Sequence, residues 1–327
     1  MNRYLPRFFS RLFLLTVCCF ILAHHSYAER QNIRVGIDLW PGYYPVLLAK
    51  HLGFFDKRNL DVDIILPEDT DNMLQDFTRG KLDLVCVAMG DVFSLKKDDP
   101  DLRVVMITDE SSGGDALIGN RADLAQLKGK RIGTNLNGFG ELFIKAFLRQ
   151  SGMHIDDVTL VHQEAAQAIN YLRDNKADIV HTWEPYVTEA ISFHYGEIVF
   201  DSSQTPGLIP DSLIANGHTI KHKAWALTNF IAAWLEAVDW WLTHRSKGDS
   251  IIELELLLMP GSVNLDGVRL YTKTDNQKAY KKTNDMSSIH YVADQYIRFF
   301  ETKGVLKGRL NSEDFITGRF LPKWILD

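Results

Sequence analysis

Cysteine is nearly absent from this chain. Three occur in 327 residues, and two of them, Cys18 and Cys19, lie in an N-terminal stretch that reads as a removable leader. Arg3, Arg7 and Arg11 form its basic part, Leu12 to Ala23 its apolar part, and Ser26-Tyr27-Ala28 a small-residue cleavage site. This is the layout of a secretory signal peptide, with cleavage expected after Ala28 and export across a membrane. Only Cys86 would remain, so no intramolecular disulfide is possible. A chain of this size needs none to build a core. Cys86 sits in the apolar run Leu84-Val85-Cys86-Val87, where an inert core thiol is expected.

Basic charge is also scarce. Removing the three leader arginines leaves 33 Lys+Arg against 42 Asp+Glu, a net charge of −9. A surplus of that sign argues against nucleic acid and anionic membrane surfaces as partners. Beyond the leader no run is long and apolar enough to span a bilayer. Nucleophile and phosphate-binding motifs are missing as well: there is no Ser-x-x-Lys, no Gly-x-Ser-x-Gly and no phosphate loop. The histidines are scattered. His218 and His222 have helical metal-ligand spacing but no evident third ligand. No catalytic residue, metal site or cofactor is expected, and the chain is read as a non-enzyme.

From Ile33 to Phe200 short apolar runs alternate with amphipathic ones. Strands are expected at 33–38, 62–66, 84–88, 103–108, 116–119, 131–134, 158–161, 179–182 and 198–200. Helices are expected at 45–52, 72–78, 92–96, 141–150, 165–173 and 185–193. Such alternation argues for parallel α/β units. The second part echoes the first: Leu74–Asp91 aligns with Ile169–Tyr186 when Asp83 is set on Asp178, and Arg34-Val35-Gly36 matches Arg131-Ile132-Gly133. Two similar lobes follow. Asp83 and Asp178 precede their strands and are read as structural. After a strand at 213–215 the chain turns helical (224–244, 250–258, 265–270, 289–304). It carries Trp225, Trp234, Trp240, Trp241 and Trp324, expected mainly as packing anchors. Trp240 and Trp241 cannot both face one core.

The order of the segments PVLLAKHLGFFDKRNLDVDI, FTRGKLDLV, LAQLKGKRIGT, GMHIDDVTLV and KADIVHTWEPY resembles the periplasmic solute-binding proteins of ABC importers. Within them it is similar to the nitrate, sulfonate, taurine and thiamine-precursor (pyrimidine) branch. The resemblance implies a two-lobed type II periplasmic-binding-protein fold, with residues 29–113 and 214–327 in one lobe and 114–213 in the other. It implies a small-molecule ligand held between lobes that close by hinge motion. It also implies a membrane permease as partner and a monomeric binding protein. Eukaryotic thiamine-pyrimidine synthases share the fold, but their Cys-rich iron motif has no counterpart after Ala28.

Ligands of open α/β sheets bind at strand carboxyl ends. The cleft loops are therefore 38–44, 89–91, 111–115, 135–141, 162–164, 183–186 and 211–212. They hold aromatics, amides and several carboxylates, and neither Lys nor Arg. Asp38, Trp40, Tyr43, Tyr44, Asp91, Asp115, Asn137, Phe139, Glu141, Trp183, Glu184 and Tyr186 are the expected ligand contacts. An anion can be held by helix N-terminal amides alone, but surrounding carboxylates oppose it. Aromatic faces, each contributing about 0.5–2 kcal/mol to a cation, together with acids favour a small nitrogenous cation, an amine or an aminopyrimidine. The alternatives are the same role with a sulfonate, taurine or nitrate ligand, a ligand-binding sensory protein, and an enzyme on the same fold.

Overall fold

The computed structural model describes residues 30–67, 69–306 and 309–322. The leader, its expected cleavage site and Trp324 lie outside them. In chain order the strands are β1 (Gln31–Gly36), β2 (Leu60–Ile65), β3 (Leu84–Ala88), β4 (Arg103–Ser111), β5 (Asp115–Gly119), β6 (Arg131–Thr134), β7 (Thr159–His162), β8 (Ile179–Trp183), β9 (Glu197–Asp201), β10 (Pro210–Ala215) and β11 (Val268–Leu270). The helices are α1 (Pro45–His51), α2 (Thr70–Thr78), α3 (Val92–Asp98), α4 (Gly140–Gln150), α5 (Ala168–Arg173), α6 (Tyr186–Ser192), α7 (Gly217–His222), α8 (Ala224–Thr243), α9 (Arg245–Glu255), α10 (Lys273–Ala279) and α11 (Ile289–Thr302).

The strands form two sheets, ordered β11-β4-β10-β3-β1-β2 and β7-β6-β8-β5-β9. Setting β11 aside, they are equivalent strand for strand. β1 pairs in parallel with β2 and β3, as β6 does with β7 and β8. β10 runs antiparallel beside β3 and β4, as β5 does beside β8 and β9. The internal repeat read from the sequence is thus a repeat of topology. Each copy is fastened in the same way. The Asp83 carboxylate accepts from the backbone N–H (2.9 Å) and the guanidinium of Arg34, and Asp178 does the same for Arg131 (2.8 Å to the backbone).

The chain crosses between the sheets twice, from β4 to β5 and from β9 to β10. Ser202, between β9 and β10, ties the crossings together. Its hydroxyl accepts from Gly113 N (2.6 Å) and lies 2.7 Å from the Ser111 hydroxyl. Gly113 sits at φ +123, a region open to glycine at little cost. The sequence placed the return to the first lobe at residue 214. Strand β10 already pairs with β3 and β4 from Pro210, so the return lies earlier. Beyond β10, Asn216 caps α7 by accepting from Thr219 N (2.8 Å).

Residues 265–270 were expected as helix. Gly267 at φ +79 instead turns the chain into β11, an edge strand antiparallel to β4. Helix α10 was missed. It begins with a capping box between Thr272 and Asp275. The paired tryptophans were expected not to share a core, yet both touch one: Trp241 is buried within it, with Nε1 donating to Asp249 (2.9 Å), and half-buried Trp240 packs at its rim and stacks on His244 at 4.7 Å. Trp234 is buried and Trp225 is half exposed. Cys86 is fully buried in β3, and burial pushes its thiol well above the usual range. Among the described residues no helix is long and apolar enough to cross a membrane.

Candidate functional site

A cavity of about 440 Å³ lies where the two sheets turn their edges toward each other. The parallel strands bring their carboxyl ends here, and the antiparallel β5 and β10 bring their amino ends. From the first lobe come Asp38, Trp40 and Tyr43 after β1, Thr70 and Asp71 at the start of α2, Asp91 after β3, and Asp211 on β10. From the second come Asp115 on β5, residues 134–140 after β6, His162 at the end of β7, and His181 and Trp183 on β8. Among the described residues, five aspartates line this space and no Lys or Arg does.

The loop after β1 is held from below. Trp40 Nε1 donates to Asp109 (2.8 Å) and the Tyr43 hydroxyl to Asp211 (2.6 Å), both buried. Asp109 and Asp211 face each other in the register of β4 and β10. Gly42 lets the loop lie this close, since a Cβ there would stand 2.1 Å from Asp109 Oδ2. The second lobe supplies an aromatic wall. Phe139 lies 5.7 Å from Trp183 and 5.3 Å from His181, ring centre to ring centre. His181 is buried between Thr134 Oγ1 (3.1 Å from Nδ1) and Asp115 (3.1 Å from Nε2).

Burial dominates the electrostatics. It pushes Asp38 up to about 6, although Asp38 accepts from Trp40 N at 2.9 Å. It pushes Asp91 to about 7, with Asp38, Asp71 and Glu164 adding repulsion. Asp109 rises to about 7 from burial, and Asp211 goes well above the carboxylate range through burial and the neighbouring Asp109. Desolvated carboxylates with no cation beside them favour the protonated form.

Of the twelve expected contacts, Asp38, Trp40, Tyr43, Asp91, Asp115, Asn137, Phe139 and Trp183 line the cavity. Tyr186 lines a smaller adjoining hollow with Glu164 and Leu66. The other three point elsewhere. Tyr44 donates to its own loop at Leu39 O (2.6 Å). Glu184 accepts from Thr188 N (3.1 Å) and Oγ1 (2.9 Å), capping α6. Glu141 accepts from Asn137 N (2.7 Å) and pairs with Lys303, the residue that follows α11. Asp71, Asp211, Thr134 and His181 were absent from the expected set. His181 had a signal, because alternate residues of a strand share a face and Trp183 is two positions on. Asp71 follows β2, whose carboxyl end belonged with the other cleft loops.

No metal was expected. Asp71, His162 and Glu164 nonetheless bring one potential ligand atom each within 4.8 Å of one another, at the mouth between the lobes. His218 and His222 stack on each other at 4.7 Å. Trp40 joins the site to the core, so Trp40→Phe would strand the buried Asp109 carboxyl. A loss of about 1–3 kcal/mol is expected in chemical denaturation.

Two α/β lobes joined by two crossings, with a ligand-sized cavity between them, define the architecture of a periplasmic binding protein. The alkanesulfonate-binding protein of Xanthomonas axonopodis pv. citri, solved bound to MOPS, superimposes with a TM-score of 0.72 at 13% identity, over 89% of this chain and 99% of that one. The chain belongs to the NMT1/THI5 like family, whose model matches residues 40–247. A candidate binding protein of Brucella abortus is 23% identical over 302 residues, covering 88% of this chain and 91% of that protein. The relatives include enzymes. A 4-amino-5-hydroxymethyl-2-methylpyrimidine phosphate synthase of Candida albicans is 26% identical over 221 residues, 62% of this chain and 65% of the synthase.

Proposed function

We propose that this chain is a periplasmic substrate-binding protein, acting as a monomer without catalysis. It captures a small nitrogenous cation, an amine or aminopyrimidine, between its lobes. It then delivers the solute to an ABC-type importer in the membrane. The observation that carries this reading is the lining of the cavity: among the described residues, five aspartates, aromatic faces and no Lys or Arg. Buried acids need a positive partner, and a bound cation beside the rings of Trp183 and Phe139 supplies it.

The anionic alternative meets a specific obstacle. An anion would use the free amides at the start of α4. One amide beside that helix is taken by the protein's own acid: Asn137 N donates to Glu141 (2.7 Å). Asp91 approaches the same loop from the other lobe, where the Phe139 amide favours its charged form. Gly138 leaves room for it, since a Cβ there would stand 2.7 Å from Asp91 Oδ1.

A thermal-shift screen of the mature protein tests the reading. A ligand at a hundred times its Kd adds about 2.7 kcal/mol, a rise of roughly 5 °C in Tm for a chain of this size. Amines or aminopyrimidines are expected to give that rise near neutral pH. Stabilisation by taurine, alkylsulfonates or nitrate, with none from amines, would overturn it.

A further inference from the structure

The acids of the cavity are not gathered at one point. Asp211 lies on β10, with Asp109 behind it on β4 and Asp115 facing it from the second lobe. Asp71 lies in the first turn of α2, directly after β2. In the sheet, β10 and β2 are separated by β3 and β1, so three strand spacings part them, roughly 14 Å. Asp38, after β1, and Asp91, after β3, stand between them.

The mutual influence of the carboxylates divides the same way. Asp211 is raised by Asp109, Asp115 and Asp38, whereas Asp91 is raised by Asp38, Asp71 and Glu164. The cavity therefore has an inner and an outer acidic pole, each ionised when a cation sits beside it, with Asp38 common to both. The rings of Phe139 and Trp183 wall the path between them. A single positive charge cannot serve both ends, because its attraction falls more than about threefold between 4 Å and 14 Å at constant dielectric.

Resting on the reading of the site as a cation trap, we propose that its ligand is a linear aliphatic molecule with at least two amino groups, one held at Asp211 and Asp115 and the other at Asp71 and Asp91. The methylene chain lies along the aromatic wall. A flat monocation fills only one end.

Isothermal titration of the mature protein with diaminobutane, diaminopentane, spermidine, butylamine and an aminopyrimidine tests this. At least one diamine or triamine is expected to bind about a hundredfold more tightly than butylamine. Asp71→Asn is expected to narrow that gap about tenfold, and Asp71 is exposed enough for the variant to fold normally. Butylamine or the aminopyrimidine binding as tightly as the diamines would overturn the two-pole inference and leave the cation reading intact. An unchanged gap in Asp71→Asn would overturn the outer pole. Silence from every amine, with binding of an alkylsulfonate, would overturn both readings.

Discussion

Without ligand, the protein is expected to melt highest near about pH 5 and to lose stability steadily as the pH is raised to about 8. The cause is the set of buried acids. Asp38 titrates at about 6, Asp91, Asp109 and Glu164 at about 7, and Asp211 higher still, all raised by burial first. In the unfolded chain these groups titrate near about 4. Between the two values the folded protein binds more protons than the unfolded one, so stability is full below the unfolded value and is lost as pH rises through the folded ones. Asp109 and Asp211 interact, so their contributions do not add. The whole effect is on the order of several kcal/mol. At lower pH the trend reverses. The guanidinium partners of Asp83 and Asp178 hold those carboxyls below the ordinary range, and the stability they supply disappears as they protonate. A bound cation should flatten the alkaline decline, because it compensates the charges that ionisation creates. Affinity should accordingly rise with pH, and titration in two buffers should detect protons released on binding. Scanning calorimetry across this range checks the first part. A Tm that stays flat or rises from about pH 5 to about pH 8 would mean that the carboxylates are solvated, and the case for a cation would weaken with it.

Much of the fold was legible because it is written in local patterns. β3 and β6 fall on the expected residues, and the copies could be aligned because an Asp precedes equivalent strands, β3 and β8. What failed was short or depended on distant contacts. Three residues of β11 carry too little periodicity to reveal a strand, and only Gly267 marked the turn before them. In the site, the loops were legible from the strand-end rule, but the direction of each side chain was not. Glu141 looked like a cleft acid until Lys303, far along the chain, claimed it. Glu184 and Tyr44 satisfy their polar groups within their own segments. Asp109 lies inside β4, where a charged residue gave no hint of the loop it supports. The acidity of the site was thus visible in composition, whereas its arrangement depended on which strands neighbour one another.

The repeated fastening makes a second prediction with an internal control. Asp83→Asn is expected to cost about 3–5 kcal/mol, and Asp178→Asn only about 1 kcal/mol. The two aspartates hold the same position in equivalent sheets and make the same paired contacts to an arginine. Their surroundings differ. Asp83 has a side chain 1% exposed, while that of Asp178 is 25% exposed. Lys223, at the start of α8, adds a second cation to Asp83 in direct contact at 3.0 Å, whereas Asp178 feels Lys130 as a Coulombic influence beside its pair with Arg131. Neutralising Asp83 leaves two cations facing a buried amide that can neither balance their charge nor accept as many hydrogen bonds. Neutralising Asp178 leaves one arginine that can turn to water. Denaturant titration of the two variants measures the difference directly. Equal losses would mean that the repeat is energetically symmetric. The extra cation at Asp83 would then contribute nothing to anchoring α8, the long helix that packs Phe230 against Phe55 beside the first sheet.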